Sequence, residues 1–142
     1  MAFSLSSRSL AKLEVVKKAI ELTKTDFGCI YGLRTQEEQQ KLFDAGKSQT
    51  LKSKHLTGDA VDLMAYVDGK ASWELNLYDD LADAMQEAAV KVGVPIRWGA
   101  SWHIDDIRGW ENSMEDAMMA YIDLRRSQGR RPFIDGPHFE LN

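Results

Sequence analysis

Apolar positions recur every three or four residues in three stretches of the chain, which predicts three amphipathic helices. The first stretch carries its apolar stripe at Leu10, Leu13, Val16 and Ile20. The second stretch carries its stripe at Leu81, Met85, Ala88 and Val92. Gly93 is placed to end this second helix, and Ser113 is placed to cap the start of the third. The third stripe consists of Met114, Met118, Tyr121 and Ile122.

Strand-like segments alternate with these helices. Residues 27–31 form a short apolar run, and residues 60–67 favour a strand in which Asp62 projects from one sheet face. A capping box at 35–38 predicts a further short helix to about residue 45. A short strand is also predicted at 95–98, and residues 133–134 and 138–141 bracket a Gly-Pro turn. The pattern indicates an α+β fold with helices packed against a small, mainly antiparallel sheet.

The size and charge of the chain narrow the possible functions. A length of 142 residues, with 44% apolar and 28% charged residues, predicts one core and a single domain over 1–142. A net charge of -4 argues against nucleic-acid binding and against stable attachment to an anionic membrane. The start of the chain lacks the features of a signal peptide, so we expect synthesis in the cytoplasm. The single cysteine, Cys29, is expected to be a small core residue.

Two distant segments, 53–62 and 135–140, hold two of the three histidines with carboxylates beside them. His55 and Asp62 can converge if Gly58 breaks the chain between them into a loop and a strand. Asp135 and His138 are joined by a stiff Gly-Pro turn. Two histidines and an aspartate, with a second acid to move protons, are a sufficient set for a hydrolytic zinc site.

These segments resemble known zinc motifs. Ser53-x-His55-x-x-Gly58-x-Ala60-x-Asp62 and Asp135-x-x-His138-Phe139 are similar to the motifs of the D-alanyl-D-alanine peptidase superfamily, in the version of its L-alanyl-D-glutamate peptidase branch, which includes phage endolysins. The segment Tyr31-Gly32-Leu33-Arg34-Thr35 is also of this type. The resemblance implies a fold like that of hedgehog and D,D-peptidase domains.

The chain departs from the family pattern in one place. Trp98-Gly99-Ala100-Ser101-Trp102 is followed by more than thirty residues before the last zinc motif, where the family often has a short loop. Ser101 stands where an acid is usual. We therefore expect the metal site to follow the family more closely than the substrate contacts do.

The resemblance implies a role for each residue of the motifs. His55, Asp62 and His138 are expected to bind one zinc ion per chain. Asp135 is expected to be the general base and acid, and Arg34 to polarise the scissile carbonyl. The same roles suit the chemistry, because zinc lowers the pKa of its bound water to about 7 and a carboxylate can take the released proton.

Other residues near the motifs leave alternatives open. Glu140 is a rival for the general base, or it orients a ligand from outside the metal's own contacts. His103 is better explained as a loop residue than as a ligand. Trp98 and Trp102 either line a peptide groove or belong to the core.

The resemblance implies a zinc-dependent endopeptidase that cleaves the L-Ala-D-Glu bond of peptidoglycan stem peptides during phage lysis. We expect a monomer that reaches the wall after another protein permeabilises the membrane. One alternative is a D,D-carboxypeptidase or dipeptidase that acts on D-Ala-D-Ala ends. Another is a non-catalytic zinc-stabilised wall-binding or virion module, against which Asp135 argues because a structural zinc site needs no proton shuttle.

Overall fold

The computed structural model of the protein describes residues 7–31, 37, 40–41, 44–45 and 59–142. The helices whose bounds are described are α1 (Ser7–Leu22), α2 (Leu75–Val92), α3 (Met114–Ser127) and a short 3₁₀ helix at Ile107–Gly109. The strands are β1 (Asp26–Tyr31), β2 (Ala60–Val67), β3 (Lys70–Ser72), β4 (Ile96–Trp98) and β5 (His138–Leu141). The α+β prediction is confirmed.

The strands form one antiparallel sheet in the order β1-β2-β5-β4, with β3 also paired to β2. β1 occupies one edge of β2, so β5 and β3 share the other edge, β5 along the first half of β2 and β3 along the second. Between them, the Leu63 amide donates to the Pro137 carbonyl at 2.9 Å. The turn before β5 therefore lies against the middle of β2.

One face of this sheet forms the core. Val61, Leu63 and Ala65 of β2 are fully buried, and so is Phe139 of β5. α1 and α2 pack against each other. The buried apolar residues of both helices belong to the same hydrophobic cluster as these strand residues. Alternation along β2 sends Asp62 to the opposite face. Asp62 thus projects from one sheet face as predicted, and it shares that face with the buried apolar residues Ala60 and Met64.

The buried face of α1 matches the predicted stripe only in part, since Val16 is buried but the two ends of the stripe are exposed. Leu10 and Ile20 are 51% and 54% exposed. The residues that α1 buries are Lys12, Val15, Val16 and Ala19. Both stripes have helical spacing, and packing against α2 selects the one with the smaller apolar side chains. The Lys12 amine remains partnered, since Nζ donates to the Ala60 carbonyl at 3.2 Å.

The other predicted elements have different outcomes. Gly93 ends α2 in the left-handed conformation at φ 82°, and the Ser113 hydroxyl caps α3 by accepting from the Asp116 amide at 3.2 Å. The helix predicted at 35–45 lies largely outside the described residues, although positions 37, 40, 41 and 44 are helical.

Two further predictions need correction or addition. Cys29 is exposed rather than buried, because β1 is an outer strand of the described sheet. The β2–β3 hairpin was not predicted, although Asp68 and Gly69 have the positive φ values, 52° and 78°, that a tight hairpin turn requires. Within the described residues, no helix is long and apolar enough to cross a membrane.

Candidate active site

Asp62 and His138 lie side by side on the polar face of the sheet. They are opposite each other in the antiparallel pairing of β2 and β5. Residues directly opposite in such a pair project from the same face, with Cβ atoms about 5 Å apart. The Asp62 Oδ1 atom lies 3.4 Å from His138 Nδ1. The register between these strands therefore assembles two of the predicted metal ligands.

Glu140 contacts the other side of the His138 ring. It follows two residues later in β5 and shares the same face, and its Oε1 atom lies 2.9 Å from His138 Nε2. Each of the two residues is only 7% exposed. Because Nε2 is held by this carboxylate, Nδ1 is the nitrogen directed at Asp62. This contact fits the interpretation of Glu140 as a residue that orients a ligand.

Asp135 completes a group that could hold a metal ion. Ligand atoms of Asp62, Asp135 and His138 all lie within 4.8 Å of one another, and no other such group occurs among the described residues. Imidazole nitrogen and carboxylate oxygen are the donors of hydrolytic zinc sites, so the group fits zinc. His55 and Arg34 lie outside the described residues, and their roles stay predictions.

The turn that carries Asp135 is held by backbone hydrogen bonds to Gly99. The Asp135 amide donates to the Gly99 carbonyl at 2.8 Å, and the Gly99 amide donates to the His138 carbonyl at 2.8 Å. A Cβ atom on Gly99 would overlap the Asp135 carbonyl oxygen and lie 2.9 Å from the His138 Cβ. Only glycine lets these backbones approach so closely.

The middle of the same turn is fixed by side chains from β4 and α2. Trp98 Nε1 donates to the Gly136 carbonyl at 2.8 Å. Tyr78 of α2 is buried against Gly136, where an added Cβ would lie 3.1 Å from the Tyr78 Cβ. The Tyr78 hydroxyl donates to the Ser72 carbonyl at 2.7 Å, at the end of β3. Contacts from several elements thus fix Asp135 relative to His138.

A model of the family described as phage L-alanyl-D-glutamate peptidase matches residues 1–142. The chain belongs to this family. The L-alanyl-D-glutamate peptidase of Escherichia phage T5 is 34% identical over 94 residues, which are 63% of this chain and 69% of that protein. A crystal structure of the L-Ala D-Glu endopeptidase ChiX of Serratia marcescens aligns with a TM-score of 0.66 and 29% identity, over 97% of this chain and 89% of that one. The family resemblance seen in the sequence is confirmed.

The carboxylates around His138 favour a positive charge at this position. Burial lowers the pKa of His138, but hydrogen bonds to Asp62 and Glu140 and the charge of Asp135 raise it by more, to about 9. In the metal-free protein the ring is therefore protonated at neutral pH, and both nitrogens donate. A divalent cation would meet the same carboxylates and would have to displace the Nδ1 proton.

Trp102 lies against the ring of His138. The two ring centroids are 5.4 Å apart with the planes tilted by 38°. Trp98, by contrast, is fully buried and stacks on Phe139 in the core, with centroids 6.3 Å apart. The two alternatives for these tryptophans therefore divide between them, with Trp98 in the core and Trp102 beside the candidate metal group.

His103 packs among aromatic residues of the long segment after Trp102. Its ring stacks on Tyr121 at 5.7 Å and meets the Trp110 ring edge-on at 6.3 Å. Burial, followed by the charge of Arg125, lowers the pKa of His103. It is not part of the group formed by Asp62, Asp135 and His138, in agreement with its interpretation as a loop residue.

Sequence reasoning missed two residues that position the site. Gly99 was noted only as part of a tryptophan segment, and Tyr78 was not singled out. A glycine directly after a strand is a signal for close backbone approach, so the contact of Gly99 could have been suspected. No local signal marks Tyr78, because its partner Gly136 comes from a distant part of the chain.

Proposed function

We propose that the protein is a zinc-dependent peptidoglycan endopeptidase that hydrolyses the L-Ala-D-Glu bond of wall stem peptides in phage lysis. The observation that carries the proposal is the group formed by Asp62, Asp135 and His138 in a chain of this family. Both named relatives are L-alanyl-D-glutamate peptidases.

In this proposal His55, Asp62 and His138 hold the ion. When bound, zinc supplies a water molecule with a pKa lowered to about 7 and a positive charge beside the scissile carbonyl. Glu140 accepts from Nε2 of His138, so Nδ1 is the nitrogen of this ring that would bind the ion. Three protein ligands leave a position for water, as a hydrolytic site requires.

Asp135 moves the proton. Its position within 4.8 Å of both described ligands suits a base that takes a proton from the attacking water. The same carboxyl group then returns the proton to the nitrogen of D-glutamate as the bond breaks. The rigid turn would hold this carboxylate close to the ion, so little conformational entropy is lost when the carboxylate reacts. Arg34 offsets the negative charge that grows on the carbonyl oxygen.

We further propose that residues 1–142 act as one catalytic domain and as a monomer. Its substrate is the stem peptide, reached once another protein has permeabilised the membrane. Buried apolar residues from α1, α2, α3 and the strands form one hydrophobic cluster, which supports a single domain.

Digestion of purified peptidoglycan tests the proposal. Analysis of the released fragments by mass spectrometry should reveal new N-terminal D-glutamate. Loss of terminal D-alanine would instead identify a D,D-carboxypeptidase. Intact peptidoglycan, with zinc bound to the protein, would indicate a non-catalytic module.

A further inference from the structure

Arg97 is a cation on the same sheet face as the candidate metal group. It is the middle residue of β4 and lies opposite Glu140 of β5. Opposite residues in antiparallel strands share a face, and Glu140 shares its face with His138. The Arg97 guanidinium carbon lies 5.2 Å from the centroid of the Trp102 ring, which in turn contacts His138. Only one aromatic ring therefore separates this cation from a predicted zinc ligand.

The guanidinium is held in place without being neutralised. Its Nε and Nη2 atoms donate to the Trp102 carbonyl, Nε at 3.1 Å. These bonds leave both N–H groups of Nη1 available. No carboxylate of the described residues forms an ion pair with Arg97, whereas Arg108 is neutralised by Asp106 at 2.8 Å. A fixed, half-buried arginine with free donors is suited to a carboxylate ligand.

The substrate in the proposed function brings such a carboxylate. The nitrogen of the scissile bond belongs to D-glutamate, which has two carboxyl groups. In wall stem peptides the chain continues from the side-chain carboxyl group. The α-carboxylate therefore stays free, only two bonds from the nitrogen that leaves. When the scissile bond lies at the metal, this charge must lie in the same small site.

We propose that Arg97 binds the free α-carboxylate of the substrate's D-glutamate and selects it against the α-amide. The inference rests on the proposed function. Arg97 is then a specificity-determining residue, with Trp102 holding its guanidinium in position. Planar N–H donors match the two oxygens of a carboxylate, whereas an amide offers one acceptor and presents its own donors to the cation.

The test uses two synthetic muropeptides that differ only in this group, one with D-glutamate and one with its α-amide, D-isoglutamine. We expect the zinc-loaded protein to prefer the carboxylate about 10- to 100-fold in kcat/KM, which is the contribution of a hydrogen bond between charged groups. Arg97→Gln should lose most of this preference, mainly through a higher KM for the carboxylate substrate. Arg97→Lys should retain part of it, because the charge remains.

Arg108→Gln is the matched control, and it should leave the preference unchanged. An equal loss on both substrates in Arg97→Gln, at unchanged zinc content, would overturn the proposal, because it would show that Arg97 only supports Trp102. Equal rates of the unmodified protein on the two substrates would overturn it as well, even if Arg97→Gln did not fold. Failure to cut either substrate would overturn the proposed function itself.

Discussion

One face of the central strands is apolar, whereas the other carries the polar residues of the candidate site together with Ala60 and Met64. On one face Val61, Leu63 and Phe139 are fully buried among helices. On the other face Asp62 contacts His138, which Glu140 holds from its far side. Burial favours the apolar face outright, whereas buried charges are tolerated only when partners or a metal compensate them. Adjacent residues of one strand can therefore serve stability and chemistry separately.

The largest effects should come from substituting two neighbouring residues of β5 one at a time. His138→Ala should lose stoichiometric zinc and all measurable activity, because one of three ligands is removed. Phe139→Ala should instead cost about 3–5 kcal/mol of unfolding free energy and keep zinc in the molecules that remain folded. Metal analysis and denaturant unfolding measure the two effects.

His103→Ala is the control for the histidine assignment and should retain zinc. Stoichiometric zinc in purified His138→Ala would contradict the site, and zinc lost from His103→Ala alone would show that the wrong histidine had been chosen.

Asp135→Asn should separate chemistry from metal binding on the polar face. It keeps the shape of the side chain but removes the group that accepts a proton, so kcat should fall about 10²- to 10⁴-fold while zinc stays bound. Glu140→Gln is the matched comparison and should cost much less, since Glu140 contacts His138 through Nε2. If Glu140→Gln were the inactive variant and Asp135→Asn near normal, the proton transfer would belong to Glu140.

Gly99→Ala should damage the polar face without changing any polar group. The added Cβ overlaps the Asp135 carbonyl oxygen, so the turn must move away from β4. Because small displacements of a catalytic group are costly, we expect roughly a 10²-fold loss of kcat/KM, with about 1–3 kcal/mol of lost stability. Gly109→Ala is the control, since nothing lies within 4 Å of its added Cβ. Normal activity of Gly99→Ala would mean that the turn tolerates displacement.

The smallest effect concerns pH in the metal-free protein. The pKa of His138 is raised from 6.5 to about 9, so the folded state binds this proton more tightly than the unfolded state. Its stabilising effect is therefore complete below about pH 6.5 and is lost as the pH rises through 9, by about 3 kcal/mol. Denaturant unfolding of metal-free protein at pH 6 and pH 10 measures it. A His138→Gln variant should lack this pH dependence, and an equal slope in both proteins would contradict the assignment.

The sequence predicts well which sheet face a residue of one strand projects from. It predicts poorly which residue of another strand lies opposite. Alternation from 60 to 67 is a local property, so the direction of Asp62 could be stated in advance. That His138 lies opposite Asp62 depends on a register between distant segments, which no local pattern specifies. The family motifs indicated that the two residues belong together, but not the contacts that hold them.

Helix packing and tight turns explain the remaining differences between the predictions from sequence and the structure. In α1, two overlapping stripes satisfied the same helical period, and only contact with α2 decided that Val15 and Ala19 are buried while Leu10 is exposed. The hairpin at Asp68 and Gly69 was recognisable from its residue types. Gly99 required knowledge of which backbone comes close to it, and that information lies in the tertiary structure.

The pairing of Asp62 with His138 also bears on how strongly the folded chain would resist unfolding. An ion held by both residues would act as a cross-link between segments far apart in sequence, and such links restrict the unfolded chain most strongly when the loop that they close is long. The chain has one cysteine and so no internal disulfide. Zinc would link β2 and β5 at the centre of the sheet without any thiol oxidation. The same ion would then contribute both to stability and to catalysis.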